Sequence, residues 1–449
     1  IENAEGALLG SGIAGPAALR IGVDRAFAEV EKACCAAAED AGLGAGALAD
    51  MHAAVGLAGV GRKGLLEQLE RHPHPFRSVS YIHDATIACI GAHGGRDGGI
   101  VIEREYRQQR LIPAFMEPRS TVVDPTGEQV TMWSATQVPH VLRFCIAATT
   151  GLPESKIRVI APDVGGGFGG KLQTTPEEFA TLAVARKLGK PCKFTETRSE
   201  TMVSGHHGRD QWQKLTLAAE KDGTVTGLKV ELMADLGAYA AIVGGGVPVL
   251  GAWMFNSIYK FGAYQFNTTN YYTNKTWVDA YRGAGRPEAT YAIERLMDEL
   301  AVEVGVDPLE IREKNWIKHD EFPFTTVAGM TYDSGNYEAA TAKAKELFGY
   351  DELRAEQKQR RESNDPVQLG LGVSTFTEMC GLAPSRILGA LSYGAGGWES
   401  ASIRMLATGT VEVVTRTSPH GQGHETTWTQ LVPGRLGWPS ANAGGLTSA

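Results

Sequence analysis

A glycine-rich loop between a predicted strand and a predicted helix is the feature that most constrains this chain. Residues 161–171 place five glycines around Phe168, and glycine lacks a Cβ and tolerates positive φ. Such backbone can come close to a ligand and present amide donors to an anionic or planar group. A β-branched stretch at 157–160 precedes the loop, and a Thr-Pro-Glu-Glu capping box at 175–178 follows it. The pattern predicts a ligand loop, although its spacing matches neither the Walker loop nor the dinucleotide fingerprint.

Three further motifs accompany this loop. They are a Thr-Gln-Val-Pro-His run at 136–140, a Tyr-Arg-Gly-Ala-Gly-Arg run at 281–286 and a Gly-Gln-Gly-His run at 421–424. In this order and at these separations, the four motifs resemble the large, molybdopterin-binding subunit of the xanthine dehydrogenase, aldehyde oxidase and aerobic carbon monoxide dehydrogenase family. The resemblance covers residues 103–432. It implies an α+β fold, that of an incomplete molybdenum hydroxylase cofactor-binding domain, with the motifs meeting at one open, solvent-filled cleft.

The resemblance implies roles for individual residues of these motifs. The family's metal is held by the pterin dithiolene, so no metal ligand comes directly from the protein, which orients and tunes the cofactor. Gln137 would donate to the oxo group of the metal, and Arg282 would stabilise charge that develops on a substrate oxygen. Phe168 and Ala284 would line the substrate pocket. The implied cofactor-binding residues are Gln137, Gly166, Gly167, Phe168, Gly169, Arg282, Gly283, Gly421, Gln422 and Gly423.

The resemblance also implies a reaction and partners. The cofactor would be molybdenum with molybdopterin in its cytosine dinucleotide form, and partner subunits would carry iron–sulfur clusters and FAD. Because the loops at 161–171 and 281–286 contain no cysteine to hold copper, we expect oxidation of an aldehyde or an N-heterocycle, with water as the oxygen source, instead of carbon monoxide oxidation. Ala284 provides no aromatic clamp for a purine.

The general base of this family is a glutamate that lies hundreds of residues beyond the glutamine motif. Here the chain ends at residue 449, which is 27 residues after Gln422, and Glu425 follows that loop too closely to replace the base. We therefore expect the isolated chain to be incomplete and inactive.

Residues 1–102 have a different pattern. An alanine-rich predicted helix over 16–41, a buried strand at 53–60 and a His-Asp-Ala motif containing Asp84 resemble the sugar kinases and activating ATPases of the actin-like ATPase superfamily. The resemblance implies that Asp84 would be the base for a sugar hydroxyl. The phosphate-binding hairpin of that family is missing after the strand that ends at Ile102. We therefore predict a partial α/β segment and a join near Ile102.

These patterns divide the chain into four predicted parts, with a solvated polar connection at 356–365. The parts are a kinase-like segment at 1–102, a first molybdopterin-binding domain at 103–355, the truncated start of a second such domain at 366–433, and an irregular tail at 434–449. The sequence also predicts two local elements, a hairpin turn at Asp222 and Gly223 and a helix over 287–304.

Composition narrows the classes of partner. A formal charge of −8, a pI near 5.8 and the absence of a lysine or arginine cluster argue against nucleic acid binding. The six cysteines have no zinc or iron–sulfur spacing and predict reduced thiols, as in a bacterial cytoplasmic protein. No apolar run reaches the roughly 18 residues that a membrane span requires.

Three functional interpretations follow. The first is a molybdopterin-dependent oxidoreductase large subunit, the second is a sugar kinase or ATPase based on residues 1–102, and the third is a non-catalytic hybrid fragment. The first requires that Gln137, Phe168, Arg282 and Gln422 converge on one pocket.

Overall fold

The computed structural model describes residues 23–44, 46–57, 65–83, 99–380, 399–437 and 446–448, together with Leu9 and Ser11. The strands in these ranges are β1 (His52–Leu57), β2 (Ser78–His83), β3 (Ile100–Leu111), β4 (Ser120–Asp124), β5 (Val130–Ser134), β6 (Ile157–Ile160), β7 (Cys192–Thr195), β8 (Gly208–Ala219), β9 (Val225–Gly237), β10 (Ala263–Tyr272), β11 (Phe324–Thr325), β12 (Thr331–Tyr332), β13 (Ala401–Met405), β14 (Val411–Thr415) and β15 (Leu446–Ser448).

The helices in the same ranges alternate irregularly with these strands, as the predicted α+β class requires. They are α1 (Val23–Asp40), α2 (Leu65–Glu70), α3 (Pro139–Thr150), α4 (Pro176–Leu188), α5 (Arg198–Ser204), α6 (Val247–Gly251), α7 (Arg286–Val304), α8 (Pro308–Asn315), α9 (Tyr337–Phe348), α10 (Tyr350–Glu362) and α11 (His424–Leu436). In the described part of the chain, no helix combines the length and the apolar character needed to cross a membrane.

The larger core is built on a four-stranded sheet in the order β10-β9-β8-β3. β8 and β9 form the antiparallel hairpin predicted at Asp222 and Gly223, and Gly223 has φ +83°, a conformation that glycine adopts without strain. β10 is parallel to β9. β3 runs without interruption from Ile100 to Leu111 along β8, so the residue at the predicted join, Ile102, lies inside a strand of this sheet.

Helix α7 packs against this sheet. It begins with a proline in its first turn and ends at Gly305, which is left-handed at φ +78°, so the prediction of a helix over 287–304 is confirmed. Its apolar stripe is fully buried with Leu215 and Val230 of the sheet, and each such buried side chain contributes about 1.5–3 kcal/mol. The stripe consists of Ile293, Leu296, Met297 and Leu300.

A second four-stranded sheet, in the order β6-β5-β4-β7, carries α3 and α4. Its core is formed by buried apolar residues that include Val123, Met132, Leu142, Ile146 and Leu182. The capping box of Thr175 and Glu178 starts α4 as predicted, and Gly189 ends it at φ +63°. The glycine loop at 161–171 therefore connects β6 to α4, which confirms its predicted position between a strand and a helix.

Two stretches differ from the predictions. The polar stretch at 356–365 is largely exposed, as predicted, but most of it forms the second half of the helix α10, with Gln357 buried. Glu356 and Arg360 pair across one helical turn, and such pairs support helices that lack an apolar face. The tail after residue 434 is also more regular than predicted, because α11 continues to Leu436 and β15 pairs in parallel with β14.

The N-terminal part contains the elements predicted for it where it is described. Helix α1 lies within the predicted 16–41 range, and β1 overlaps the predicted strand at 53–60 and begins one residue earlier. β1 pairs in parallel with β2, and Phe27 of α1 is buried in a small apolar core with Val55. Asp84 lies outside the described residues.

Candidate functional site

The glycine loop is held at both ends by one carboxylate. The Glu117 backbone N–H donates to the Gly165 carbonyl at 3.0 Å, and Glu117 Oε2 accepts from the Gly165 N–H at 2.7 Å and from Lys171 Nζ at 2.7 Å. A Cβ on Gly165 would lie 2.5 Å from the Glu117 Cβ, so only glycine permits this approach. The first and last parts of the loop are thereby fixed relative to each other.

Gln137 contacts the same loop from a different segment. Its Oε1 accepts from the backbone N–H groups of Gly169 at 3.0 Å and Lys171 at 3.1 Å, and its own N–H donates to the Lys171 carbonyl at 3.0 Å. With both bonds made by Oε1, the orientation of the amide is set. Among the described residues no acceptor engages Nε2, which leaves this donor available to a ligand.

The loop residues next to Gln137 leave no room for side chains. A Cβ on Gly167 would lie 2.4 Å from Gln137 Oε1, and a Cβ on Gly169, which has φ +91°, would lie 2.2 Å from the Ala280 carbonyl oxygen. Gly166 is also left-handed at φ +90°, and a Cβ there would lie 2.9 Å from the Phe168 ring. The glycines of the loop are therefore required by close packing against neighbouring groups of the chain, and the predicted approach to a ligand stays a prediction.

Phe168 and Arg282 face each other across two segments. The Arg282 N–H donates to the Phe168 carbonyl at 3.0 Å, and the Arg282 guanidinium carbon lies 5.6 Å from the centroid of the Phe168 ring, within cation–π range. Phe168 has φ +52°, a left-handed conformation that is rare for a bulky residue. Its side chain is 40% exposed and is not packed in a core.

The residue just before the fourth motif also contacts the loop. The Gly166 N–H donates to the His420 carbonyl at 3.1 Å, and the next residue, Gly421, has φ +99°. Gln422 is exposed, and its Oε1 accepts from the His420 N–H at 2.5 Å. Gly423 is left-handed at φ +74° and precedes α11. The structure thus brings Gln137, Phe168 and Arg282 together, whereas the Gln422 side chain bonds within its own segment and its place in the same pocket stays a prediction.

The base of the loop is rich in charge that the sequence analysis did not identify. The Phe115 ring is buried, and three cations surround it, with Lys171 Nζ at 4.7 Å, Arg119 at 5.3 Å and Arg198 at 5.9 Å from its centroid. Burial lowers the pKa of Lys171, while its hydrogen bond to Glu117 acts in the opposite direction. Arg119 also donates to the Gly170 carbonyl at 2.9 Å. No local motif marks these residues, because their partners are distant in sequence.

Two buried titratable groups flank the arginine motif. Burial lowers the pKa of His206 to about 4, and its Nε2 lies 3.2 Å from the Ala280 carbonyl oxygen. Burial raises the pKa of Asp279 to about 6, and its Oδ1 accepts from the Val243 N–H at 3.1 Å. The backbone of Ala280 therefore lies between a neutral imidazole and a carboxyl group that ionises near neutral pH.

Comparison with known families supports this grouping of motifs. Two family descriptions, each of a molybdopterin cofactor-binding domain, match residues 95–316 and 343–442. The first match begins at residue 95, before the predicted boundary at 103. The resemblance of residues 1–102 to the actin-like ATPases gains no support from these matches and stays a prediction.

Curated relatives match at about one third identity. The carbon monoxide dehydrogenase large chain of Hydrogenophaga pseudoflava is 36% identical over 377 residues, which are 83% of this chain and 46% of the relative. The nicotine 6-hydroxylase large subunit of Paenarthrobacter nicotinovorans is 32% identical over 348 residues, which are 76% of this chain and 42% of the relative. The chain thus spans less than half the length of these relatives.

Solved structures show the same architecture. Quinoline 2-oxidoreductase from Pseudomonas putida 86 superposes with a TM-score of 0.72 at 32% identity, over 79% of this chain and 45% of that structure. A Cu,Mo-CO dehydrogenase superposes with a TM-score of 0.71 at 33% identity, over 81% of this chain and 46% of that structure. Together with the two matched domains, these similarities show that the chain belongs to the family of molybdopterin cofactor-binding proteins and has the fold of molybdenum hydroxylase large subunits.

Proposed function

We propose that this chain is the cofactor-binding part of a molybdopterin-dependent hydroxylase or dehydrogenase large subunit. The observation that carries the proposal is the convergence of three segments on the glycine loop, through Gln137, through Arg282 bonded to Phe168, and through the carbonyl of His420 just before the fourth motif. These contacts join segments that are far apart in the chain. If these loops served only to end helices and strands, contacts between segments so distant in sequence would not be expected.

The residues of the site fit a large, planar, anionic cofactor. A Cβ at Gly167 or Gly169 would meet Gln137 Oε1 or the Ala280 carbonyl oxygen, so these glycines let the loop pack closely on the segments that carry Gln137 and Arg282. Gln137 Nε2 is a neutral donor without a partner among the described residues, and Arg282 is exposed beside it in the same loop cluster. Neutral and cationic donors on a glycine loop are suited to phosphate and pterin groups.

Each side chain has a distinct role in this proposal. When bound, molybdenum supplies the two-electron oxidation of a substrate C–H bond, with water as the oxygen source. Gln137 donates a hydrogen bond to the cofactor, and Gly166, Gly167, Gly169, Gly283, Gly421, Gln422 and Gly423 provide backbone contacts. Phe168 and Ala284 line the substrate pocket, and Arg282 stabilises negative charge on a substrate oxygen.

We further propose an aldehyde or an N-heterocycle as the substrate. The similarity to nicotine 6-hydroxylase and quinoline 2-oxidoreductase, whose names denote N-heterocyclic substrates, favours this class. The two loops at 161–171 and 281–286 contain no cysteine, which disfavours a copper-dependent reaction. By the same similarity, partner subunits with iron–sulfur clusters and FAD would accept the electrons, and the cofactor would be the cytosine dinucleotide form.

The test is the metal and pterin content of the purified chain, produced in a bacterium that synthesises the molybdenum cofactor. We expect molybdenum, measured by mass spectrometry, and pterin, measured by fluorescence after oxidation, to co-purify with the chain. Gln137→Ala should lower both, because it removes the free donor and releases two loop amides. The matched control is Gln129→Ala, which removes an exposed amide whose Nε2 donates to the Ser155 carbonyl at 2.8 Å, in a loop outside the four motifs.

Two results would count against the proposal. Absence of both molybdenum and pterin from the unchanged chain would remove its basis. Equal losses in the Gln137 and Gln129 variants would show that retention does not depend on the glycine loop.

A further inference from the structure

The loop that carries Arg282 has an unusual backbone. Gly283, Ala284 and Gly285 follow one another with φ values of +94°, +41° and +91°. Two glycines adopt such values freely, but a left-handed alanine is strained by about 1–3 kcal/mol and persists only where its surroundings fix it. Something outside the loop must therefore hold it.

The holding group is the guanidinium of Arg209 at the start of β8. Its Nη1 donates to the Tyr281 carbonyl at 3.0 Å and its Nη2 donates to the Arg282 carbonyl at 2.7 Å. Its guanidinium carbon also lies 4.7 Å from the centroid of the Tyr281 ring. One planar group thus satisfies two consecutive carbonyls and lies over the ring of Tyr281, directly before the strained residues.

Arg209 is itself held in place from below. Its Nη1 lies 3.3 Å from both carboxylate oxygens of Glu288, whose side chain is completely buried in the first turn of α7. Burial raises the pKa of Glu288, and the charge of Arg209 opposes that shift. Arg209 and Asp210 have φ values of +68° and +59°, so two successive non-glycine residues are left-handed where the guanidinium is directed at the loop.

We propose that Arg209 is a positioning residue, which sets the arginine loop and, through it, Arg282 and Phe168. The connection to Phe168 is the hydrogen bond from the Arg282 N–H to the Phe168 carbonyl. The importance of this role for catalysis rests on the proposed function, but the role itself is a property of this chain. Lysine cannot replace Arg209, because a single ammonium cannot serve two carbonyls and a carboxylate in one plane while stacking on a ring.

The test is hydrogen–deuterium exchange of the purified full chain, resolved to single residues by electron-transfer fragmentation. The reporters are the amides of Arg282 and Ala284, which donate to the carbonyls of Phe168 and Tyr281. In the unchanged chain, opening of the arginine loop must break the two hydrogen bonds of the Arg209 guanidinium, and in Arg209→Lys this cost is absent. We therefore expect both amides to exchange about tenfold faster or more in Arg209→Lys, while exchange in the β8–β9 ladder is unchanged. In Arg209→Ala, added guanidinium ion should slow the exchange again.

Arg312→Lys is the matched control. Arg312 is fully buried and has a similar pattern of bonds, donating to the carbonyls of Pro308 and Glu294 and pairing with the carboxylates of Glu294 and Asp298, but it lies on α8 away from the arginine loop. Equal acceleration of the Arg282 amide in Arg312→Lys, or no acceleration in Arg209→Lys, would overturn the proposal. If Arg209→Lys does not fold, Glu288→Gln replaces it, and an unchanged Arg282 amide in that variant would equally overturn the proposal.

These outcomes are independent of the cofactor. Exchange at Arg282 is measured on the chain whether or not it carries molybdenum, so a failure to bind the cofactor would contradict the proposed function and leave the positioning role standing. Conversely, a chain that retains molybdenum while Arg209→Lys leaves the loop amides unchanged would contradict only the positioning role.

Discussion

At the scale of single residues, the backbone around Ala280 lies between two buried groups, His206 and Asp279, whose pKa values are shifted in opposite directions. His206 has a pKa of about 4 in the folded chain, below its ordinary value of 6.5, so its contribution to stability is complete above pH 6.5 and is lost as the pH falls toward 4. Asp279 has a pKa of about 6, above its ordinary value of 3.8, so its contribution is complete below pH 3.8 and is lost as the pH rises toward 6. Between pH 4 and 6 the two effects cancel.

Removing one of the two groups should reveal the pH dependence of stability that the other contributes. In Asp279→Asn, relative to the unchanged chain, we expect the free energy of unfolding to fall by about 1.4 kcal/mol for each pH unit of acidification between pH 6 and 4. In His206→Gln we expect the opposite sign. Urea unfolding at pH 4, 5 and 6 measures both, and parallel pH profiles in the two variants would contradict the assigned pKa shifts.

The glycines of the ligand loop allow a second prediction. Gly169→Ala combines a left-handed backbone with a Cβ placed 2.2 Å from the Ala280 carbonyl oxygen, whereas Gly189→Ala has a left-handed backbone with nothing within 4 Å. We expect thermal unfolding to show a loss of about 1 kcal/mol for Gly189→Ala and at least about 2 kcal/mol more for Gly169→Ala. Similar losses in both variants would mean that the loop is not closely packed.

At the scale of elements, α7 links the core to the candidate site. Its buried stripe anchors it on the β10-β9-β8-β3 sheet, and its first turn begins directly after the strained arginine loop. Glu288 in that turn is buried and paired with Arg209 of β8. Packing of the helix therefore fixes the position of the end of the arginine loop.

Truncation of this stripe should destabilise the whole chain. Leu296 is fully buried, so Leu296→Ala should cost about 2–5 kcal/mol, from lost apolar burial and the cavity that remains. Val302 on the same helix is 79% exposed, so Val302→Ala should change stability by no more than about 0.5 kcal/mol. Denaturant unfolding of both variants checks this difference. Comparable losses of stability would contradict the assignment of Leu296 to the buried face and Val302 to the exposed face of α7.

At the scale of the whole molecule, one buried carboxylate joins three distant segments. Glu294 accepts from Tyr259 Oη at 2.6 Å, from Arg312 Nε at 2.9 Å and from the Thr375 N–H at 2.8 Å. Thr375 belongs to the segment at 371–380, whose residues alternate between half-buried and exposed. The carboxylate thus connects α7 to Tyr259, to α8 and to a segment inside the second matched domain at 343–442.

Loss of this charge should release the segment that follows α10. Glu294→Gln leaves Arg312 buried with a weaker partner, so we expect a loss of about 3–5 kcal/mol and faster proteolytic cleavage between residues 366 and 380. Glu299→Gln is the control, because the pair of Glu299 with Arg104 is partly exposed and is worth about 0–1 kcal/mol. Cleavage at equal rates in both variants would show that the segment is held by other contacts.

The sequence by itself determined the local elements of this protein. The glycine loop between β6 and α4, the capping box at Thr175, the hairpin at Gly223 and the limits of α7 were all predicted correctly. Each depends on the conformational freedom or hydrogen bonding of residues that are neighbours in the chain, and such properties belong to the residue types themselves. The polar half of α10 was missed, because pairs one helical turn apart replaced an apolar stripe.

Only the tertiary structure decided which residues surround the loop and in what charge state. Gln137 and His420 reach it from opposite sides in sequence, Glu117 closes it from 48 residues away, and Arg209 supports the arginine motif from 73 residues away. The pKa values of His206 and Asp279 follow from burial. Burial and contact between distant residues arise only when the chain is folded, so no local pattern records them.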